Sequence, residues 1–327
     1  MAVFGKTPST NRVNALVLDG FSLSGNLDRG LLRLQNLQIL SLARNNFTGS
    51  INPDLTSLGN LQVLDFSDNN LCGPIPNGFF QQCWSLRAVS FANNNLSGKV
   101  PESLSSCTSL ETLNFSSNQL HGIIGNMAVF GKTPSTNRVN VLVLDGFSLS
   151  GNIDRGLLRL QNLQILSLAR NNFTGSINPD LTSLGNLQVL DFSDNNLCGP
   201  IPNGFFQQCW SLRAVSFANN NLSGKVPESL SSCTSLETLN FSSNQLHGEL
   251  PSGIWYLKGL QSLDFSSNLL EGEIREGIQN LYDLKELRLG KNRFSGRLPA
   301  DIGGCLLLKL IDFSDNFQNF SLMMWID

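Results

Sequence analysis

Glu286, Arg288 and Lys291 are the residues best equipped to bind a charged partner. In the run L-K-E-L-R-L, Glu286 and Arg288 alternate with leucines, so a strand would point both side chains to one face. Arg can hold a carboxylate in a bidentate pair and Lys reaches far, so Arg288 and Lys291 could contact the acidic end of a peptide. The alternative is structural, with Arg288 pairing with Asp264 and Asp312 on adjacent strands.

The seven cysteines have no spacing typical of a metal site, so we expect no metal and no cofactor. Five of them lie three residues before the first leucine of a repeat, a position that should point inward. This favours buried free thiols. Disulfides between Cys83 and Cys107, and between Cys209 and Cys233, stay an alternative because each pair falls on adjacent coils. The five inward cysteines are Cys83, Cys107, Cys209, Cys233 and Cys305.

Residues for catalysis are missing from the sequence. The two histidines, His121 and His247, have no acid or nucleophile at a fixed spacing. The Gly-rich loop, the H-R-D and the D-F-G of a kinase are also absent. We therefore expect a chain that is not an enzyme.

Seven Asn-X-Ser/Thr sequences could accept an N-linked glycan in the secretory pathway. Two of them, Asn114 and Asn240, are expected on a strand face, where a glycan would crowd a partner. The seven candidate acceptors are Asn46, Asn95, Asn114, Asn172, Asn221, Asn240 and Asn319.

The low charge of the chain excludes several functions. Only 14% of the residues are charged, the net charge is −3, and no basic run occurs. Attraction to nucleic acid or to an anionic membrane therefore has no source. No apolar run is long enough to span a membrane, and the first residues lack the apolar core of a signal peptide. We expect no membrane span and no export signal in this sequence.

A repeat that fills most of the chain positions these residues. Its template, L-x-x-L-x-L-x-x-N-x-L-x-G-x-I-P, is clearest from Leu187 to Pro202. Thirteen copies begin between Val13 and Leu308; most steps are 24 residues, two are 25 and one is 29. L-x-x-L-x-L predicts a short strand in a parallel sheet on a concave face, and the rest predicts 3₁₀ turns and short loops on a convex face. The fold predicted is an α/β repeat solenoid of about thirteen coils.

Two inward positions of the repeat have structural explanations. The Asn should satisfy backbone groups of adjacent coils and form a ladder, rather than act in catalysis. Phe at the sixth position of eight repeats predicts a stacked aromatic core, with an aromatic ligand site as the alternative. The ladder residues are Asn45, Asn69, Asn94, Asn118, Asn171, Asn195, Asn220, Asn244, Asn268, Asn292 and Asn316; the Phe column is Phe66, Phe91, Phe115, Phe192, Phe217, Phe241, Phe265 and Phe313.

A large internal duplication underlies the repeats. Residues 1–122 recur as residues 127–248 with two differences, Ala15 against Val141 and Leu27 against Ile153. Identity at surface positions implies a recent copying event. Repeats one to five and six to ten therefore offer the same surface twice, and only repeats eleven to thirteen are unique.

Several motifs resemble a known family. G-P-I-P at residues 73–76, G-K-V-P at 98–101 and G-E-L-P at 248–251 resemble the plant-specific class of leucine-rich repeats. The runs L-D-G-F-S-L-S-G, R-G-L-L-R-L-Q and F-F-Q-Q-C-W-S-L further resemble the ectodomains of plant receptor-like kinases of the inflorescence-and-root-apices type. The resemblance implies an extracellular solenoid, a membrane helix and a cytosolic kinase-like domain in the parent protein. It also implies a peptide ligand or another leucine-rich repeat receptor or co-receptor as partner.

This sequence departs from the family at its ends. The amino-terminal cap, a Cys pair around W-x-G-V, is missing, as is the Arg-x-Arg motif that some members use for a peptide carboxylate. We divide the chain into a degenerate segment without the Cys cap (1–12), repeats one to five (13–122), a junction loop (123–138), repeats six to thirteen (139–316) and an apolar tail (317–327). Uncapped ends would favour self-association, and the tail would be an improvised cap.

Three functions stay open at this stage. The first is a protein- or peptide-binding ectodomain fragment that perceives a signal at the extracellular face of the plasma membrane, and the intact repeats favour it. The second is a truncated, duplicated gene product with no selected activity, which the missing cap, export signal, span and kinase favour. The third is a secreted inhibitor of a cell-wall enzyme, which would also need export.

Overall fold

A computed structural model of the chain describes residues 3–6, 12–27, 29–121, 139–153 and 155–316. Within these ranges the regular structure consists of short strands and short 3₁₀ helices, without an α-helix. The chain divides into two compact units, residues 1–172 and 173–327. The predicted repeat fold is confirmed, because equivalent strands recur once per repeat in both units.

Most repeats supply two strands. In the first unit the strands are β1 (Val3–Lys6), β2 (Val13–Val17), β3 (Ser24–Asn26), β4 (Ile39–Ser41), β5 (Asn46–Gly49), β6 (Val63–Asp65), β7 (Asn70–Pro74), β8 (Ala88–Ser90), β9 (Asn95–Lys99), β10 (Thr112–Asn114), β11 (Gln119–His121), β12 (Val141–Val143), β13 (Ser150–Asn152) and β14 (Ile165–Ser167). β15 begins at the last residue of that unit, and the remaining strands follow it: β15 (Asn172–Gly175), β16 (Val189–Asp191), β17 (Asn196–Pro200), β18 (Ala214–Ser216), β19 (Asn221–Gly224), β20 (Thr238–Asn240), β21 (Gln245–Gly248), β22 (Ser262–Asp264), β23 (Leu269–Glu273), β24 (Glu286–Arg288), β25 (Arg293–Ser295) and β26 (Leu310–Asp312).

Each unit has a main sheet, formed by the first strand of each repeat. In the first unit it runs β2-β4-β6-β8-β10-β12-β14, and in the second β16-β18-β20-β22-β24-β26, with all of these neighbours parallel. The middle residue of most of these strands, such as Leu113 or Leu263, is buried, while its two neighbours point to the outer face. The alternation in L-x-x-L-x-L thus fixes which side chains form the outer face of the main sheet.

The second strand of each repeat joins a second sheet, and 3₁₀ helices follow it, as predicted. Asn52 shows how they begin: its side-chain oxygen accepts a hydrogen bond from the backbone N–H of Asp54 at 3.0 Å, and Pro53 opens the helix. The 3₁₀ helices are Arg29–Arg33, Pro53–Ser57, Glu102–Ser106, Arg155–Arg159, Pro179–Ser183, Glu228–Ser232, Ser252–Tyr256, Ile278–Asn280 and Ala300–Gly304.

The predicted Asn ladder is confirmed, and Asn118 shows its geometry. Its side-chain oxygen accepts a hydrogen bond from the N–H of Leu96 in the preceding coil at 3.0 Å. Its amide nitrogen donates to the carbonyl oxygens of Phe91 in that coil and Phe115 in its own coil, both at 2.9 Å. These backbone groups would otherwise be buried without partners. Phe147 occupies the ladder position of repeat six, so no side-chain amide is available there.

The predicted aromatic core is confirmed in each unit. In the first, the rings of Phe91 and Phe115 stack with centroids 5.4 Å apart. In the second, Phe217 and Phe241 stack at 5.1 Å, and Phe265 meets Phe241 edge-on at 5.5 Å. All five rings are fully buried, so they serve as core and offer no surface to a ligand.

The expectation of an uncapped first coil is wrong. β1 pairs with β2 in the antiparallel direction, with Val3 opposite Val17 and Phe4 opposite Leu16. A strand from the segment 1–12 therefore covers the edge that would otherwise present unpaired backbone groups. At the other end, Leu306 is 89% exposed and Ile311 is 49% exposed. The tail 317–327, predicted as a cap, lies outside the described residues.

Four of the five cysteines predicted as free thiols form disulfides instead. Cys83 is bonded to Cys107, and Cys209 to Cys233. Their Cα atoms are 4.8 and 4.9 Å apart, because equivalent positions on adjacent coils stack directly, and this distance suits a disulfide. Cys305 is free and buried. Burial raises the pKa of its thiol, and the carboxylate of Asp301 raises it further.

The main sheet continues from repeat five to repeat six. β10 pairs with β12, with Thr112 opposite Val141 and Leu113 opposite Leu142, which confirms the predicted continuity from repeat five to repeat six. The second sheet differs: within the described residues, β11 ends one sheet and β13 begins another. The predicted loop itself, within 123–138, lies outside the described residues.

Candidate partner-binding face

The register of the main sheet brings three of the five predicted partner-binding residues side by side. Asp264 on β22 is opposite Arg288 on β24, and Arg288 is opposite Asp312 on β26. Each is the last residue of its strand, so all three lie on the outer face where the strands end. Glu286 begins β24 on the same face, and Lys291 follows in the next turn.

Arg288 pairs with Glu286 and with neither aspartate. Its guanidinium Nη1 lies 2.5 Å from the Glu286 carboxylate, and both side chains are partly exposed. The alternative that Arg288 pairs with Asp264 and Asp312 is therefore wrong. Residues two apart on a strand share a face, so Glu286 is within reach without bridging to another coil.

Both aspartates are already engaged by serines. The Asp264 carboxylate accepts hydrogen bonds from the N–H and hydroxyl of Ser266, at 2.9 and 2.6 Å. Asp312 accepts the same two bonds from Ser314, at 2.9 and 2.7 Å. The hydroxyl of Ser314, its N–H, and the charges of Arg288 and Lys291 hold the pKa of Asp312 below its usual range. Asp312 is therefore an anion at neutral pH.

Lys291 occupies a left-handed turn, with φ of 54°, and its side chain is exposed. In the region that the structure covers, no hydrogen bond or ion pair holds its ammonium group. Gly290 stands where repeats eleven and thirteen have serine; a Cβ there would lie 2.8 Å from the Asp312 carboxylate. Sequence reasoning missed Gly290, although the change from serine at this position was a readable signal.

Two further cations were missed. Arg44 and Arg170 occupy the same turn position as Lys291, each with φ of 54°, and both are exposed. Comparing the repeats position by position would have found them. Neither has a second cation on its strand, since Ser41 and Ser167 stand at the position of Arg288. Repeat twelve therefore differs by combining two cations.

The candidate glycan acceptors fall into two groups. Asn46, Asn95, Asn172 and Asn221 begin strands of the second sheet and are exposed. Asn114 and Asn240 end strands of the main sheet, as predicted, and are half-buried. The side-chain oxygen of Asn240 accepts from the Ser242 hydroxyl at 2.7 Å. Asn319 lies outside the described residues.

In the described ranges, no group of three or more His, Cys, Asp or Glu side chains could hold a metal ion. The same ranges contain no helix that is long and apolar enough to cross a membrane.

Comparison with family models identifies the repeats. The Leucine Rich Repeat model matches residues 36–58, 60–82, 85–107, 162–184, 186–208, 211–233, 235–257, 259–281 and 283–305. A second leucine-rich repeat model matches residues 106–124. The matched segments follow the coils seen in the structure.

Similar proteins include plant receptors. Leucine-rich repeat receptor-like protein kinase PXC2 of Arabidopsis thaliana is 59% identical over 81 residues, 25% of this chain and 8% of that protein. A protein chain in the crystal structure of PEPR1-AtPEP1 is 32% identical with a TM-score of 0.86, and the match covers 94% of this chain and 42% of that chain. The plant peptide hormone receptor RGFR1, in complex with RGF2, is 29% identical with a TM-score of 0.64. The match covers 91% of this chain and 54% of that chain.

This chain spans less than two thirds of the length of each of these proteins. The matches agree with the stacked coils, the Asn ladder and the parallel main sheet described above. They extend to receptor-like kinases in sequence and to receptor ectodomains in fold. The chain belongs to the leucine-rich repeat family, and its repeats are homologous to those of plant receptor-like kinases.

Proposed function

We propose that the chain is a non-catalytic module that binds a peptide or protein, of the kind found in plant receptor ectodomains, and that it serves signal perception. The observation that carries this proposal is the pair of cations in repeat twelve. Among the described residues no hydrogen bond or ion pair holds the exposed ammonium group of Lys291, and Arg288 lies on the same face. The complexes known for similar receptors support a peptide as the ligand.

The arrangement suits one carboxylate. Glu286 holds Arg288 through a single nitrogen, Nη1, so the other guanidinium N–H groups stay available as donors. Fixing the side chain beforehand lowers the entropy lost when a ligand binds. Asp264 and Asp312 flank the cations and would repel a second anionic group. The ligand is therefore a segment that ends in a carboxylate without further acidic residues beside it.

The same proposal extends to location and partners. Disulfides persist in oxidising compartments, so Cys83–Cys107 and Cys209–Cys233 favour an extracellular setting. Another leucine-rich repeat receptor or co-receptor is the second class of partner, bound along the same face of the main sheet.

A peptide library tests the proposal. Short synthetic peptides with free C-terminal carboxylates are compared with the same peptides carrying C-terminal amides, on the wild-type chain and on the Arg288→Ala, Lys291→Ala double variant. We expect the free acids to be preferred and the double variant to lose about tenfold in affinity, which is about 1.4 kcal/mol. Arg44→Ala is the matched control, since it removes a cation from the same turn position in repeat two.

Equal affinity for the free acids and the amides would contradict the proposal. So would a double variant that keeps the wild-type affinity for the free acids. Thermal unfolding of each variant is measured in parallel. A lowered melting temperature with unchanged affinity would leave Arg288 and Lys291 a structural role only.

A further inference from the structure

A second surface of the molecule lies apart from the face of repeat twelve. It is a groove of about 600 Å³ along the starts of the main-sheet strands in the second unit, from Gln188 in repeat eight to Asp283 in repeat twelve. Arg288 and Lys291, at and beyond the strand end, do not line it. The groove follows the direction in which the coils stack, so it suits an extended occupant.

Trp210 forms the largest apolar surface in the groove. Its side chain is 59% exposed, although a large aromatic side chain is usually covered. The residue before it, Cys209, is bonded to Cys233, and this disulfide fixes the backbone that carries the indole. The groove therefore has one flat, rigid apolar wall.

The other walls are polar and planar. Arg213 donates to Glu237 from Nη2 at 2.6 Å and from Nε at 2.9 Å, so its charge is neutralised within the groove. Gln261 accepts from the Lys285 ammonium at 2.8 Å, which orients its amide and leaves its NH₂ group able to donate. Asp283 adds an exposed carboxylate, for which the described part of the chain provides no hydrogen bond or ion pair.

We propose that this groove binds an uncharged linear oligosaccharide. A sugar ring has an apolar C–H face that can pack on an indole, and hydroxyl groups that both donate to carboxylates and accept from amide and guanidinium N–H groups. Trp210 is the only large apolar residue of the lining, so the groove lacks the pockets in which peptide side chains usually anchor. Glu237 and Asp283 disfavour a polyanion.

The length of the groove fits several sugar rings. Adjacent coils are separated by 4.9 Å between the Cα atoms of Cys209 and Cys233, and the groove extends over four such steps. Each coil thus presents one set of polar groups, at roughly the spacing of successive rings in a linear chain. A periodic ligand can therefore repeat the same contacts along the groove.

The duplication provides a natural control. Trp84 is 56% exposed, and Arg87 and Glu111 repeat the polar pair, but their charged atoms are 3.9 Å apart. At the positions equivalent to Gln261 and Asp283, the coils that follow the first copy have Asn140 and Asn162. The side-chain oxygen of Asn140 is buried, so it does not face a ligand. The first copy therefore has the aromatic wall without the far end of the groove.

Calorimetric titration of the full chain tests the proposal. The probes are three uncharged hexasaccharides, namely cellohexaose, xylohexaose and mannohexaose, with hexagalacturonate as a polyanion and hexalysine as a cationic peptide. We expect at least one uncharged probe to bind with a single site, and Trp210→Ala to weaken it about tenfold or more. Trp84→Ala should change the affinity less than twofold.

Three results would overturn the proposal: no uncharged probe binding at millimolar concentration, equal losses in the two tryptophan variants, or hexalysine displacing the sugar as the preferred ligand. Gln261→Ala supplies a second variant should Trp210→Ala fail to fold, and it should weaken binding several-fold. The Arg288→Ala, Lys291→Ala variant should bind the sugar normally, which separates this groove from the peptide site.

Discussion

Repeats one and six have the same sequence apart from Ala15 against Val141 and Leu27 against Ile153, yet they are buried to different extents. Phe21 is 43% exposed in repeat one, whereas its counterpart Phe147 is completely buried. Repeat six lies against repeat five, where the ring of Phe115 is 6.4 Å from that of Phe147. On the corresponding side, repeat one has the short strand β1 in place of a complete coil among the described residues. In a repeat protein, therefore, how much a residue contributes to stability depends on the neighbouring coil as much as on the sequence of its own coil.

The largest expected effect comes from truncating the two phenylalanines. Phe147→Ala should lower the free energy of unfolding by about 3–5 kcal/mol, because it leaves a cavity against repeat five. Phe21→Ala should cost less than about 1 kcal/mol, because its ring is already partly in water. Guanidinium denaturation of both variants measures the difference. Equal losses would show that another part of the chain covers Phe21 in solution.

Removal of β1, the strand beside repeat one, should lower stability by an intermediate amount. A variant lacking residues 1–12 loses the pairing of β1 with β2, and each lost backbone hydrogen bond costs roughly 1 kcal/mol. Amide exchange should accelerate at Leu16 while Leu142, the matched residue of repeat six, keeps its rate. The exposed edge should also promote association at high protein concentration. Unchanged exchange at Leu16 would mean that β1 does not protect the first coil.

The smallest effect concerns an ion pair that the two copies share. Arg213 and Glu237 are 2.6 Å apart, whereas Arg87 and Glu111 are 3.9 Å apart. Double-mutant cycles should give a coupling of about 0.2–1 kcal/mol for the first pair and close to zero for the second, since all four side chains are exposed by a third or more. Added salt should remove the difference. A stronger coupling for Arg87 with Glu111 than for Arg213 with Glu237 would contradict the ranking of the two pairs by distance.

The features that recur in every repeat could be predicted from the sequence. The strand register, the Asn ladder and the Phe column follow from residues at fixed spacing, because each coil meets its neighbours in the same way. β1 was not predictable, since residues 3–6 carry no repeat signature. Whether the cysteines form disulfides depends on the distance between adjacent coils. The sequence does not give this distance, so both a free thiol and a disulfide stayed open at Cys83.

The candidate site was predictable only in part. The repeat places Asp264, Arg288 and Asp312 side by side, but three carboxylates were available to Arg288 and the sequence could not rank them. The groove from Gln188 to Asp283 was missed because no single repeat contains it. Its walls come from Trp210, Glu237 and Asp283, which belong to three different coils, and only stacking brings them to one surface.

The disulfides also determine how the molecule would respond to tension. When a repeat protein is pulled at its termini, its coils unfold one after another, and each unfolded residue adds to the length of the chain. Cys83–Cys107 and Cys209–Cys233 each close a loop with a sequence separation of 24 residues. Each loop withholds about 80 Å of contour length that only reduction releases. Under load the chain would therefore stretch less while oxidised, and in each unit one pair of coils would stay tethered and able to refold.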